Sequence, residues 1–239
     1  MSALLRGELS KTLTTRTLFA FLAAVVGFSL LNAVIIAAAS GTLHSVSEKE
    51  EALSCLPILP FVWGLVGAAG EYRHRTAAPA ALVARHGRGT LLLARLSAYA
   101  VTGLGLGALA TVASVALGLP LLSDQPGPVL GLAQIGSVVA GNLAACVLSA
   151  VMGAAIGALV RNQIVGVVIV LVLNFAVVPL VATAQEGLAN LTPFGASSVL
   201  SGMTHDTTLS VAAAGAVLAL WTVVVAGMAV ASERRRDVA

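Results

Sequence analysis

The sequence predicts an all-α integral membrane protein with six transmembrane helices. Three observations carry that prediction: a composition nearly emptied of charge, long continuous apolar runs, and basic residues gathered on one side of those runs. Of 239 residues, 58% are hydrophobic and 10% are charged, where a soluble domain carries roughly 25% charged residues. So few charges cannot solvate a globular surface, and the mean hydropathy of +0.99 agrees. A water-soluble enzyme is excluded, and so is a nucleic-acid binder, despite a pI near 9.3.

The first element expected is a surface helix. Leu5, Leu9 and Leu13 fall on one helical face, with Arg6, Glu8 and Lys11 elsewhere around it. Such a segment lies in the interface plane ahead of a span. A spanning helix needs roughly 20 mostly apolar residues, and runs that are continuous rather than alternating select helices. Six qualify: Leu18–Ser40, Ala52–Gly70, Leu96–Leu122, Val129–Val160, Ile164–Ala184 and Leu209–Ala231. The first is longer than the roughly 7–15 apolar residues of a signal peptide, so it reads as a span. Pro57 and Pro60 lie inside the second, whose outer half is expected to be bent or loosened where a path opens. The fourth exceeds an upright span and is expected to tilt, or to break near Gly136 or Gly141. The connecting segments are too short for a further domain of roughly 50 residues. One membrane domain therefore fills residues 1–239.

Orientation follows from the basic residues. Twelve of the 13 lysines and arginines fall on one side of the six spans, leaving only Lys49 opposite. The positive-inside rule then makes both termini cytoplasmic.

The spans lack ionisable groups. All the charged residues fall in loops or at span ends, and so do His44, His74, His86 and His205. Ion-driven carriers and intramembrane proteases place such groups within the bilayer. Cys55 and Cys146 have no metal-like spacing and imply no disulfide framework. There is no GxxxxGK[ST] phosphate loop, so no cofactor, nucleotide or metal site is expected on this chain. Any active transport must draw its energy from another one.

Neutral polar residues do occur in the spans: Asn32, Gln134, Asn142 and Asn174. They either hydrogen-bond between helices or line a path for a partly polar substrate. On the second reading Asn32, Asn142 and Asn174, with Pro57 and Pro60, are the candidate pathway residues. Gly103 with Gly107, Gly64 with Gly67 and Gly70, and Ser149 with Gly153 and Gly157 form small-residue ridges. Such ridges let helices approach closely without revealing which ones pair.

The segment after the second span is the most informative. Glu71 closes a helix whose dipole disfavours an anion, so a cation must compensate it, and Arg75 stands four residues on. Pro79 and Gly87 bound a short helix, and Thr90 is placed to cap the next span. Arg85, Arg88 and Arg95 are expected to face cytosol or lipid headgroups. Two readings stay open: a basic anchor on membrane lipid, or a docking surface for a cytoplasmic partner. On the outer side, Thr192-Pro193 opens a short helix reaching about Met203, and Asp206 or Thr207 caps the last span.

Four features in order resemble a membrane subunit of the ABC-2 type of ATP-binding-cassette transporter. They are the amphipathic Arg6–Arg16 segment, Gly70–Thr76 (Gly-Glu-Tyr-Arg-His-Arg-Thr), Arg88 with Arg95, and Arg161-Asn162-Gln163. Arg95 stands where relatives often carry lysine. The resemblance implies a bacterial plasma-membrane exporter permease, paired with itself or a sister subunit and docked on two copies of an ATPase subunit that binds ATP and Mg. It assigns contact with the ATPase to Glu71, Tyr72, Arg73, Arg75 and Thr76, and more loosely to the Pro79–His86 helix, with Arg85, Arg88 and Arg95 beside it. It also implies that Asn190–Met203 re-enters the membrane. The expected cargo is amphipathic or hydrophobic: an antibiotic, peptide or lipid-like molecule. The rivals are a self-contained secondary carrier or channel, and a non-transporting membrane scaffold.

Overall fold

In hydrocarbon a backbone must satisfy its own polar groups, which selects helices. The computed structural model describes residues 2–39, 43, 45–73, 87–123, 128–203 and 209–235, and every regular element among them is a helix. In chain order these are α1 (Ser2–Thr14), α2 (Arg16–Ala39), α3 (Val46–Ala52), α4 (Ile58–Arg73) and α5 (Arg88–Ser123). After them come α6 (Leu132–Val160), α7 (Gln163–Ala184), α8 (Glu186–Asn190), α9 (Pro193–Leu200) and α10 (Val211–Arg235). Five of them, α2, α5, α6, α7 and α10, are long and apolar enough to cross a membrane. The chain is a multi-pass membrane protein.

The helix α6 sits at the centre. Of its most apolar stretch 56% is buried, against 11% for α7, and α4, α5 and α10 pack around it. Small residues make this possible. A methyl group at Gly64 would strike the Ala150 carbonyl, and one at Gly153 the Phe61 carbonyl, so α4 and α6 meet backbone to backbone. At Gly103 an added carbon would lie 2.7 Å from the Ala150 side chain, and at Gly107 2.8 Å from Cys146. The GxxxG of α5 therefore faces α6. Gly67 leaves room for the Tyr99 hydroxyl. Aromatic rings fill the wider gaps: Phe61 meets Phe194 at 5.2 Å, and Trp63 meets Phe21 at 5.6 Å.

Several expectations are corrected. The expected break in the fourth span is absent, because α6 is continuous from Leu132 to Val160. Gly136 faces open space, while Gly141 makes room for the Leu200 carbonyl of α9. The second predicted span is not one helix. After α3, the chain is non-helical from Leu53 to Pro57, and α4 has 16 residues, about 24 Å of rise. Pro57 and Pro60 do not bend a helix but start one. Pro60 sits in the first turn, where backbone N–H groups have no intrahelical partner to lose. The third span begins at Arg88 rather than Leu96, so Thr90 lies inside the first turn of α5 and does not cap it.

The outer segment agrees with its reading at the start and shortens at the end. The Thr192 hydroxyl accepts the Gly195 N–H at 3.1 Å, and Pro193 takes the first helical position. The helix stops at Leu200, where Gly202 adopts φ +76°. There Gly202 N–H donates to Val199 O at 3.2 Å and Met203 N–H to Ser198 O at 2.9 Å, a glycine-dependent C-terminal closure. Phe194, Val199 and Leu200 are buried, so α9 is packed into the bundle. Asp206 and Thr207 lie outside the described residues, as do the four histidines and the Pro79–His86 helix. Ser210 accepts the Ala213 N–H at 3.3 Å at the start of α10.

Candidate functional site

The helix α4 ends on Glu71-Tyr72-Arg73, and two ion-pair networks meet there. In the first, Lys11 of α1 approaches Glu71 at 2.8 Å and Glu8 at 3.3 Å. Arg95 of α5 bridges the same two carboxylates, its Nε 3.4 Å from Glu8 and its Nη2 against Glu71. Arg95 is 3% exposed and Glu8 6%. Two cations and two anions thus neutralise one another between three helices. Burial without a partner would cost Arg95, Glu8 and Glu71 several kcal/mol each.

This arrangement answers two expectations. The compensation that Glu71 requires at its helix end is supplied by Lys11 and Arg95, which are distant in sequence; Arg75 lies outside the described residues. Arg95 does not face cytosol or headgroups. Because α5 starts at Arg88, Arg95 stands about 10 Å into the helix, where its planar fork reaches both acids. The helix α1 turns Glu8 and Thr12 into the protein, while Leu13 is exposed.

The second network joins Tyr72 to the α6–α7 turn and to α10. The Tyr72 hydroxyl and Arg161 Nη2 both donate to Glu233 Oε1 at 2.5 Å. The Arg161 guanidinium lies 4.5 Å above the Tyr72 ring, a cation–π contact. Arg161 ends α6 with φ +57°, left-handed backbone that non-glycine residues seldom adopt. Asn162 then caps α7, accepting the Ile164 and Val165 N–H groups.

Two concavities flank these networks. One, of about 380 Å³, is bordered by Lys11, Trp63, Gly67, Glu71, Tyr99 and Gln163. The other, of about 350 Å³, brings exposed Arg73 together with Arg161, Asn162 and Gln163. Of the remaining predicted coupling residues, Arg88 sits in the first turn of α5. Arg75, Thr76 and Arg85 lie outside the described residues. Sequence reasoning missed Glu8 and Glu233 as members of the site.

Of the predicted pathway residues, Asn32 and Asn142 both reach the backbone of residues 51–55, next to Pro57. At the opposite end of α4 the chain is non-helical, and asparagines satisfy its backbone. Asn142, fully buried, accepts the Cys55 N–H through Oδ1 at 3.0 Å and donates through Nδ2 to Leu53 O at 3.0 Å. Asn32 Nδ2 donates to Glu51 O at 2.8 Å. Cys55 and Cys146 are free thiols with sulfurs 3.3 Å apart. Asn174 is half-buried in a π-helical turn, Leu173–Val177, which precedes Pro179. Asn32 borders a cavity of about 160 Å³ with Phe28, Ser54 and Met203; Asn142, Asn174, Pro57 and Pro60 do not.

Replacing Asn142 by leucine should therefore destabilise the protein, by about 1–3 kcal/mol for each backbone group left unpaired. Asn174→Leu should change stability by no more than about 0.5 kcal/mol. Thermal unfolding in detergent separates the two; equal effects would contradict the capping role of Asn142.

Among the described residues, no three His, Cys, Asp or Glu side chains are grouped to hold a metal ion. No protein-family model matches the chain, and a comparison with curated proteins found no match.

Proposed function

We propose that the chain is the permease subunit of an ATP-driven exporter, docked through its basic end on a separate ATPase subunit. The observation that carries this is convergence. The four sequence segments that resemble an ABC-2 permease are far apart in the chain, yet their charged residues meet at the end of α4. Glu71 touches α1 and α5, and Tyr72 touches the α6–α7 turn and α10. A push on that end reaches five helices through ion pairs, a hydrogen bond and a cation–π contact. Such a junction relays force from a partner.

The same contacts support six passes with both termini on the cytoplasmic side. Glu8 of α1 and Glu233 of α10 both lie beside the last turn of α4. Termini at one end require an even number of passes. Five helices cross outright, and α3, the non-helical stretch and α4 together supply the sixth. The setting is a bacterial plasma membrane, with two permease copies and two ATPase copies. The cargo is amphipathic or hydrophobic, because the chain offers apolar surface and few polar anchors.

Arg73 is the residue to test. It is exposed beside Arg161 and Gln163, whereas Glu71 holds the fold together. Glu71→Lys would crowd a third cation against Lys11 and Arg95 and confuse misfolding with uncoupling. Arg73→Glu should leave melting unchanged and abolish co-purification of a nucleotide-hydrolysing subunit in mild detergent. Retained association in that variant would overturn the docking assignment.

A second reading rests on Glu71 bordering the 380 Å³ cavity: a carboxylate there is what a proton-driven carrier uses. Against it, Glu71 is held by two cations at a helix end. Transport by the purified chain in liposomes under a pH gradient alone would favour this carrier.

A further inference from the structure

The outward side of α10 carries a groove that neither network uses. It measures about 490 Å³, runs between α5 and α10, and is floored by Leu93, Val223, Gly227 and Val230. Arg234 and Arg235 stand at its basic-end mouth. From Val223 to Arg234 the helix rises about 16 Å, close to half of the roughly 30 Å hydrocarbon core. The groove is therefore one leaflet deep, with its two cations at headgroup level. Among the described residues no carboxylate pairs with either arginine; Glu233, next in sequence, is taken by Arg161 and Tyr72. Gly89 makes room for the Arg234 side chain, since an added carbon there would lie 2.7 Å from Arg234 Nε. At the floor, nothing lies within 4 Å of where a Gly227 side chain would begin.

We infer that this groove binds an anionic phospholipid, its acyl chain along α10 and its phosphate between Arg234 and Arg235. An acyl chain matches the apolar floor, and the two guanidinium groups match a phosphate. A zwitterionic lipid brings the same tail, but its own cation offsets the attraction of its phosphate to the arginines. This inference stands apart from the transport reading and survives its failure.

The test uses the full chain in detergent, titrated with phosphatidylglycerol or phosphatidylcholine of identical tails and followed by native mass spectrometry. Phosphatidylglycerol should bind at least about tenfold more tightly. Each arginine contributes a factor of about five, so Arg234→Ala with Arg235→Ala should weaken phosphatidylglycerol about 25-fold and leave phosphatidylcholine unchanged. Gly227→Leu fills the floor and should weaken both lipids while keeping both arginines. Equal binding of the two lipids, or a double variant that keeps its preference, would overturn the inference. So would a Gly227→Leu variant that loses a dimer and not the lipid, since the occupant would then be a second copy.

Discussion

Gly153→Val should yield no folded, monodisperse protein on size exclusion, while Gly105→Ala should melt at the same temperature as the wild type or above it. Ordinary overpacking costs about 1–3 kcal/mol because side chains can shift. At Gly153 the obstacle is the Phe61 carbonyl, part of the α4 backbone. Relief requires the two central helices to move apart, which also loosens the contacts at Gly64 and Gly157. The loss should therefore exceed the usual upper bound of about 3 kcal/mol. Gly105 is exposed, with nothing near its missing side chain. Alanine there gains about 0.5–1 kcal/mol of helix stability. If Gly153→Val melts like the wild type, α4 and α6 are not in backbone contact.

Arg95→Leu should cost about 3–5 kcal/mol, the range for removing one partner of a buried ion pair. It leaves Glu8 and Glu71 facing each other with only Lys11, which is partly exposed, to offset them. Adding Glu8→Gln to that variant should recover part of the loss, since one uncompensated charge disappears. Arg95→Lys should fall between, because a point charge cannot reach both carboxylates as a fork does. Thermal melts of the single and double variants form a cycle with a coupling energy of about 0.5–3 kcal/mol. A coupling near zero would mean that Arg95 and Glu8 do not interact.

The apolar runs that became α2, α5, α6, α7 and α10 were legible because a spanning helix needs little more than length and hydrophobicity. The start of α4 was not, since Leu53-Ser54-Cys55-Leu56 is as apolar as the helix that follows. The signal was there in Pro57 and Pro60, which suit a helix start as well as a kink. The short helix α3 also had a signal: Ser45 and Glu48 form a reciprocal capping box, Ser45 Oγ accepting the Glu48 N–H at 3.3 Å. At the site, the helix dipole showed that Glu71 needed a cation but could not say which. Local spacing offered only Arg75, while Lys11 and Arg95 come from other helices. Glu8 was hidden for the same reason, because a lone acid on an amphipathic helix reads as solvated until Arg95 is known to lie beneath it.

The glycine seats between the central helices also bear on how the bundle can move. Gly64, Gly153 and Gly157 are notches in two rods, each receiving a ridge of the other, and a slide of α6 by one turn toward its C-terminal end would bring Ser149 or Ala150 where Gly153 now sits. The rods are thus indexed like a key in its wards and cannot shear past one another. On the proposed coupling role, a displacement at Glu71 would carry α4 and α6 together as one lever, and the slip would be taken up against α2 and α7, the spans that grip this pair least.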